Sequence, residues 1–197
     1  MKQMLWINAC MRGEGHSRTR GLCQAFLEEW KIHNPDVQVL ERDLTGGELG
    51  VLTAQLARRR DEAVAAQQWE SPLLEISREF AQADYVVVGA PYWDLSFPAA
   101  LKVYLEWAST VGVTFCYTEE GAPAGLCRAD KLLYITTAGG PVWGQNFGFD
   151  YVKGLCGMFG IGDIQCVAAE ELDIWGGPGE ENLRRARETL LDLAQNW

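Results

Sequence analysis

Three segments hold residues whose types and spacing could do chemistry. The first is Cys10-Met-Arg-Gly-Glu-Gly-His-Ser-Arg-Thr-Arg20, which joins a short apolar run to an amphipathic stretch. Free N–H groups at a helix start, the positive end of the helix dipole and the hydroxyls of Ser17 and Thr19 would together make a phosphate cradle. Taken alone, the segment serves equally as a plain strand-to-helix turn with Ser17 as the cap. It lacks the Gly-Lys-Ser/Thr of a Walker A loop, and the third glycine of a dinucleotide fingerprint would fall where Arg18 stands. The second segment, Ala90-Pro-Tyr-Trp-Asp-Leu-Ser-Phe-Pro98, sets two aromatics and an acid between prolines. A rigid, aromatic-walled loop of this kind suits a planar heteroaromatic ligand; without a ligand, Tyr92 and Trp93 would seal the top of the core. In the third, Thr136-Thr-Ala-Gly-Gly-Pro-Val-Trp-Gly144, glycines let the backbone approach a ligand and aim N–H groups at it. Trp143 fits packing as well as it fits a ligand wall.

Other chemistries find no support. The six cysteines at 10, 23, 116, 127, 156 and 166 contain no Cys-x-x-Cys, and His16 and His33 adjoin no second ligand, which excludes an ordinary zinc site. A low-molecular-weight phosphatase loop, Cys-x5-Arg, would need Arg at position 16, where His16 stands.

The elements that must position these segments alternate. Met4–Ala9 reads as a strand, followed by a helix from a Ser17 cap to about His33, with Leu22, Ala25, Phe26 and Trp30 at helical spacing. Asn34-Pro35-Asp36 breaks it, and Val37–Glu41 is a second strand. Gly46, Gly47 and Gly50 mark a loop, Leu52–Gln68 a helix, and Pro72 opens another helix ending near Ala83. Asp84–Gly89, β-branched and unbroken, is a buried parallel strand. A helix runs from Pro98 to about Ser109. Lys131–Thr137 is the fourth strand, Phe149–Gly160 a helix, Ile164–Ala168 the fifth strand, and a last helix begins at Gly179 or Glu180. The alternation predicts an α/β fold: a flavodoxin-like, doubly wound, five-stranded parallel sheet of order 2-1-3-4-5 with helices on both faces. Its ligand crevice lies beyond the C-terminal strand ends, at the switch point between strands one and three, and all three segments fall at such ends.

At 197 residues and ~150 per domain, the chain reads as one domain spanning 1–197. The net charge of −10 argues against nucleic acid and anionic membranes as partners, so any phosphate must be gripped locally. The longest apolar candidate, Tyr85–Trp93, is far short of the ~18 residues of a membrane helix and contains Pro91. Met4–Ile7 is too short for the core of a signal peptide. A cytoplasmic chain with reduced thiols is expected.

Taken in order, these segments resemble the FMN-dependent NAD(P)H:quinone oxidoreductase/NADH-azoreductase family. The resemblance rests chiefly on APYWDLSFPAALKVYLEWASTVGVTFCYTEEGAPAGL, residues 90–126, and on ITTAGG, GHSRTR and GLCGMFGIGDIQCVAAE, residues 154–170. It implies one FMN per chain, NAD(P)H as co-substrate and a homodimer with active sites at its interface. It also implies a two-step reaction in which NAD(P)H reduces the flavin, then leaves, and a quinone, azo or nitro compound reoxidises it. Carried over by motif, Ser17, Arg18 and Thr19 would hold the phosphate, with Cys10 of the same loop among the cofactor-binding residues. Tyr92, Trp93, Asp94 and Leu95, next to Pro91, would line the isoalloxazine, and Thr137, Ala138, Gly139 and Gly140 would contact its pyrimidine edge. Phe115 and Tyr117 would help build the pocket over the ring. No side chain need act as a nucleophile, because the flavin carries the chemistry. The family commonly has Asn where Asp94 stands, Ser-Arg-Gly-Gly where Thr137–Gly140 stand, and a hydroxyl where Ala9 or Cys10 stands. These departures leave the nicotinamide preference and the acceptor open. A flavodoxin-type electron carrier would share the fold and the FMN. A regulatory protein that has lost the cofactor is the non-enzymatic alternative.

Overall fold

The computed structural model describes residues 2–197. Its central sheet consists of β1 (Gln3–Asn8), β2 (Gln38–Asp43), β3 (Tyr85–Gly89), β6 (Lys131–Thr137) and β7 (Asp163–Ala169). They are ordered β2-β1-β3-β6-β7, and every pair is parallel. Counting sheet strands alone, this is the expected order 2-1-3-4-5. The other two strands, β4 (Phe115–Tyr117) and β5 (Pro123–Gly125), form a separate antiparallel hairpin.

Side-chain alternation along each strand divides the core between two faces. Leu5, Ile7, Val86, Val88, Leu132 and Tyr134 point to the face covered by α3 (Glu75–Gln82), α4 (Ala99–Ala108) and α5 (Phe147–Phe159). Met4, Trp6, Val87, Leu133 and Ile135 point to the face covered by α1 (Arg18–His33) and α6 (Gly179–Ala194). Each fully buried Leu, Ile or Val contributes ~1.5–3 kcal/mol, so the register that keeps both sets inside is strongly specified. On the second face Trp30 Nε1 donates to the Trp197 carbonyl at 3.2 Å, and the Trp197 ring packs edge-on against Phe26.

Several boundaries move from the sequence reading, each for a local reason. α2 (Ala54–Ala65) is shorter than Leu52–Gln68 because Thr53 caps it, its hydroxyl accepting from Leu56 N–H at 3.3 Å. Pro72 opens a single 3-10 turn, Pro72–Leu74, ahead of α3. α5 starts before Phe149 because Asn146 Oδ1 accepts the Phe149 N–H at 2.9 Å. Ser17 caps α1 as expected, accepting from Arg20 N–H at 3.2 Å.

Candidate functional site

The loops after β1, β3 and β6 meet at the C-terminal edge of the sheet. β1 ends at Asn8, a fully buried side chain whose Nδ2 donates to Glu41 Oε1 at 2.8 Å and whose Oδ1 accepts from Cys10 N–H at 3.1 Å. This pair turns the chain out of the sheet and into α1. Glu41 also takes Arg20 Nη1 at 3.1 Å, and the Arg20 guanidinium lies 5.2 Å from the Trp6 ring. The first turn of α1 contains no acid, so no side-chain charge offsets the positive end of its dipole.

Hydrogen bonds join the loops. Thr19 and Thr137 share one between their hydroxyls, 2.7 Å apart and buried. Tyr92 N–H donates to Thr137 O at 2.9 Å, and Tyr92 OH reaches Gln145 O at 3.1 Å. The segment after β7 is stitched to the third loop: Leu172 and Asp173 N–H donate to Ala138 and Gly139 carbonyls at 3.1 and 2.9 Å. Glu170 Oε2 accepts Val142 N–H at 2.8 Å, which fixes the base of the loop that carries Trp143. Asp173 Oδ1 takes Arg18 Nη2 at 2.8 Å while Arg18 Nη1 bonds Leu172 O at 3.0 Å. The Asp173 carboxylate lies directly over Gly139, where a Cβ would overlap Oδ2.

A cavity of about 160 Å³ results, lined by Arg12, Ser17, Arg18, Thr19, Pro91, Tyr92, Trp93, Thr137, Gly139 and Asp173. That is below the ~300 Å³ of a small-molecule pocket, so it suits a phosphate and part of a sugar chain but not a tricyclic ring. A tight turn lies beside it. Trp93 and Ser96 exchange both backbone hydrogen bonds, at 3.1 and 2.8 Å, around Asp94 and Leu95. Both central residues are left-handed, with φ of 50° and 67°. That is the backbone of a type I′ turn, normally made with glycine or asparagine. For Leu95 it costs ~1–2 kcal/mol, a strain of the kind that collects at ligand clamps. Trp93 and Leu95 are exposed, and so are Trp143 (82%) and Trp175 (80%) on neighbouring loops.

Of the thirteen residues the sequence reading offered to a cofactor, eight line this cavity: Ser17, Arg18, Thr19, Pro91, Tyr92, Trp93, Thr137 and Gly139. Asp94 and Leu95 form the adjoining turn, and Gly140 follows Gly139. Ala138 is buried. Cys10 is fully buried with its sulfur 3.5 Å from Gly89 O, so its side chain faces away from the cavity. Phe115 and Tyr117 stand apart from the crevice of their own chain. Their hairpin packs on Phe159, at the C-terminal end of α5, and Arg128 N–H donates to Ala81 O at the end of α3. Both helix ends lie at the opposite edge of the sheet from the three loops. The reading missed Asp173, Glu170 and Asn8. Their roles come from contacts between segments distant in sequence, although an Asn ending a buried strand was a signal in plain view.

Among the described residues there is no cluster of His, Cys, Asp and Glu suited to a metal, and no helix long and apolar enough to cross a membrane. A family model described as the flavodoxin-like fold matches residues 2–193. An FMN-dependent NADH:quinone oxidoreductase of Clostridium perfringens is 34% identical and one of Clostridium beijerinckii 35%, over the full length of both chains in each case. Azoreductase from Bacillus anthracis str. Sterne superposes with a TM-score of 0.89 at 26% identity, covering 100% of both chains. An FMN-dependent NADH-azoreductase from Bacillus anthracis str. Ames Ancestor, solved in complex with FMN, shares the fold at a TM-score of 0.84, with 23% identity and 98% coverage of each chain. The chain belongs to the family of FMN-dependent NADH:quinone oxidoreductases, within the flavodoxin-like fold.

Proposed function

We propose that this chain is, over its whole length, one FMN-binding oxidoreductase domain that takes hydride from NADH and delivers it to quinone, azo or nitro acceptors in two successive half-reactions. The observation that carries the reading is the convergence of three strand-end loops on one crevice, with an anion cradle at one end and a strained aromatic turn at the other. The residues fit FMN. The acid-free first turn of α1 and the Ser17 hydroxyl suit a phosphate dianion, the narrow cavity suits a ribityl chain, and the exposed Tyr92–Leu95 turn suits a flat ring. FMN, when bound, supplies the hydride-accepting and hydride-donating chemistry. Ser17 would donate to the phosphate while holding the helix cap, and Arg18 would add charge from the rim. Thr19 and Thr137, bonded to each other, keep the first and third loops at fixed separation. Backbone N–H groups at Gly139 and Gly140 would serve the polar edge of the ring. The electron-carrier alternative lacks the support that the enzyme reading draws from full-length relatives named as oxidoreductases.

The reading includes a homodimer. Phe115 is buried in its own core and supports the hairpin from beneath, so of the two only Tyr117 is free to roof the crevice of a second copy. Tyr117 is 59% exposed, and Leu126 beside the hairpin is also exposed, as expected of a surface awaiting cover. A cytoplasmic location suits six unpaired thiols.

The test is spectroscopic. The purified protein should carry, or take up, a yellow chromophore with FMN absorbance, bind FMN far more tightly than riboflavin, and lose colour when NADH is added without oxygen. Equal affinity for FMN and riboflavin would remove the phosphate cradle, and a protein that binds no flavin would end the enzyme reading.

A further inference from the structure

Cys10 and Cys23 have no part in the reading above. Cys10 follows β1, Cys23 lies in the second turn of α1, and both are fully buried. Gly89 of β3 leaves room for the two sulfurs side by side: a Cβ there would stand 2.5 Å from Cys23 Sγ and 3.4 Å from Cys10 Sγ. The surroundings of the two differ. The Cys10 thiol donates to Gly89 O at 3.5 Å, and its sulfur sits near Cys23, the Ser17 hydroxyl and the Arg20 guanidinium, with Asp43 the opposing charge. These hold it below its ordinary value despite burial. Burial first, and then Cys10 itself, push Cys23 up, while Trp6 Nε1, which has no hydrogen-bond partner, lies on the same side of Gly89 as the two sulfurs. Cys127, Cys156 and Cys166 are pushed up to about 12, chiefly by burial. One thiol biased toward thiolate beside one that keeps its proton matches an attacking sulfur and its resolving partner. The cover over Cys10 is the loop it begins, whose residues 12, 14, 15 and 16 are exposed. A molecule as small as a hydroperoxide needs only that loop to lift.

We propose that Cys10 and Cys23 are a dithiol that hydroperoxides oxidise to a disulfide, and that this bond loosens the phosphate cradle above it. The Cys10 thiolate attacks the terminal peroxide oxygen. The O–O bond breaks, the other oxygen leaves with a proton as water or an alcohol, and Cys10 becomes a sulfenic acid. The Cys23 thiol then attacks that sulfur, the S–O bond breaks and water leaves. The pair loses two electrons and two protons, and the peroxide is reduced. Closing the sulfurs to ~2.05 Å draws the second turn of α1 toward the sheet, and Ser17 and Thr19 move with it.

The second half rests on the FMN reading, and the experiment separates the two. Protein treated with hydrogen peroxide and quenched with a thiol-blocking reagent should be lighter by two hydrogens before blocking, with one peptide pair linked through Cys10 and Cys23. In Cys23→Ser and Cys23→Ala a sulfenic-acid trap should label Cys10. The Kd for FMN, read by flavin fluorescence, should rise roughly tenfold on oxidation and recover with dithiothreitol, while that for riboflavin stays level. Six free thiols after peroxide, or a link through Cys116, would overturn the dithiol. An oxidised protein that binds FMN like the reduced one would overturn the effect on the cradle. Untreated protein that binds no FMN would strike the functional reading instead, leaving the dithiol to stand or fall by mass.

Discussion

Asp94 shows how much one backbone angle can decide. A carboxylate just ahead of a helix starting near Pro98 has two readings from sequence, as a cap or as a charge beside the ring. The cap is ruled out: Pro98 occupies the N-cap position of α4 with no side-chain bond, while Asp94 sits exposed in a left-handed turn. The remaining role is electrostatic and weakened by water. At ~4 Å in water two unit charges interact by ~1 kcal/mol, which is ~20 mV for a two-electron couple. Asp94→Asn should therefore raise the flavin potential by about 20 mV or less and leave the melting temperature unchanged. Redox titration alongside a thermal melt measures both. At Gly139 the expectation is steric. A methyl group would strike the Asp173 carboxylate, and Gly139→Ala should push that side chain off Arg18, weakening FMN binding by ~1 kcal/mol. In an Asp173→Ala background the same substitution should cost less, a coupling that a double-mutant cycle on FMN Kd would detect.

At the scale of elements, α1 serves both fold and site through Ser17. Ser17→Ala should lower stability by ~1 kcal/mol through the lost cap. It should also weaken FMN binding while leaving riboflavin binding alone. A loss of equal size for both flavins would place Ser17 outside the phosphate contacts. Most elements were legible because period-2 and period-3.6 patterns report burial directly: Val86-Val-Val88 and the Leu22–Trp30 face could hardly be read otherwise. The limits of α2 and α5 were not, since they depend on which of several polar residues turns inward to cap. The β4–β5 hairpin was recognised as a motif, but its place in space was invisible. A three-residue strand at the far edge of the sheet and a loop over the crevice look alike in sequence. Asp173 was hidden for the same reason, since only the β7–α6 connection brings it over Gly139.

At the scale of the molecule, the proposed homodimer would make the partner subunit a part of the catalytic unit. Tyr117→Ala should leave the monomer fold intact, because the side chain is exposed, but should weaken association and reduce turnover. Light scattering across a dilution series, with activity measured at each concentration, tests whether mass and turnover fall together; full activity in a monomer would sink the idea. The buried thiols set a limit at alkaline pH. Cys127, Cys156 and Cys166 ionise near 12 in the fold against an ordinary 9.0, so above pH 9 the unfolded chain binds fewer protons than the folded one. Their contribution is complete below 9.0 and is lost as pH climbs toward 12. Denaturant midpoints should fall through that window, and replacing Cys127 with Ala should flatten the fall.

The two most exposed indoles, Trp143 and Trp175, give the molecule a built-in optical gauge. A water-borne quencher such as iodide reaches them freely, while Trp30, sealed on the α1–α6 face, lies beyond its reach. With Trp69→Phe removing the exposed indole away from the crevice, the fraction of emission open to iodide tracks how much of the crevice mouth stands uncovered, whether the cover is a cofactor, an acceptor or a second subunit.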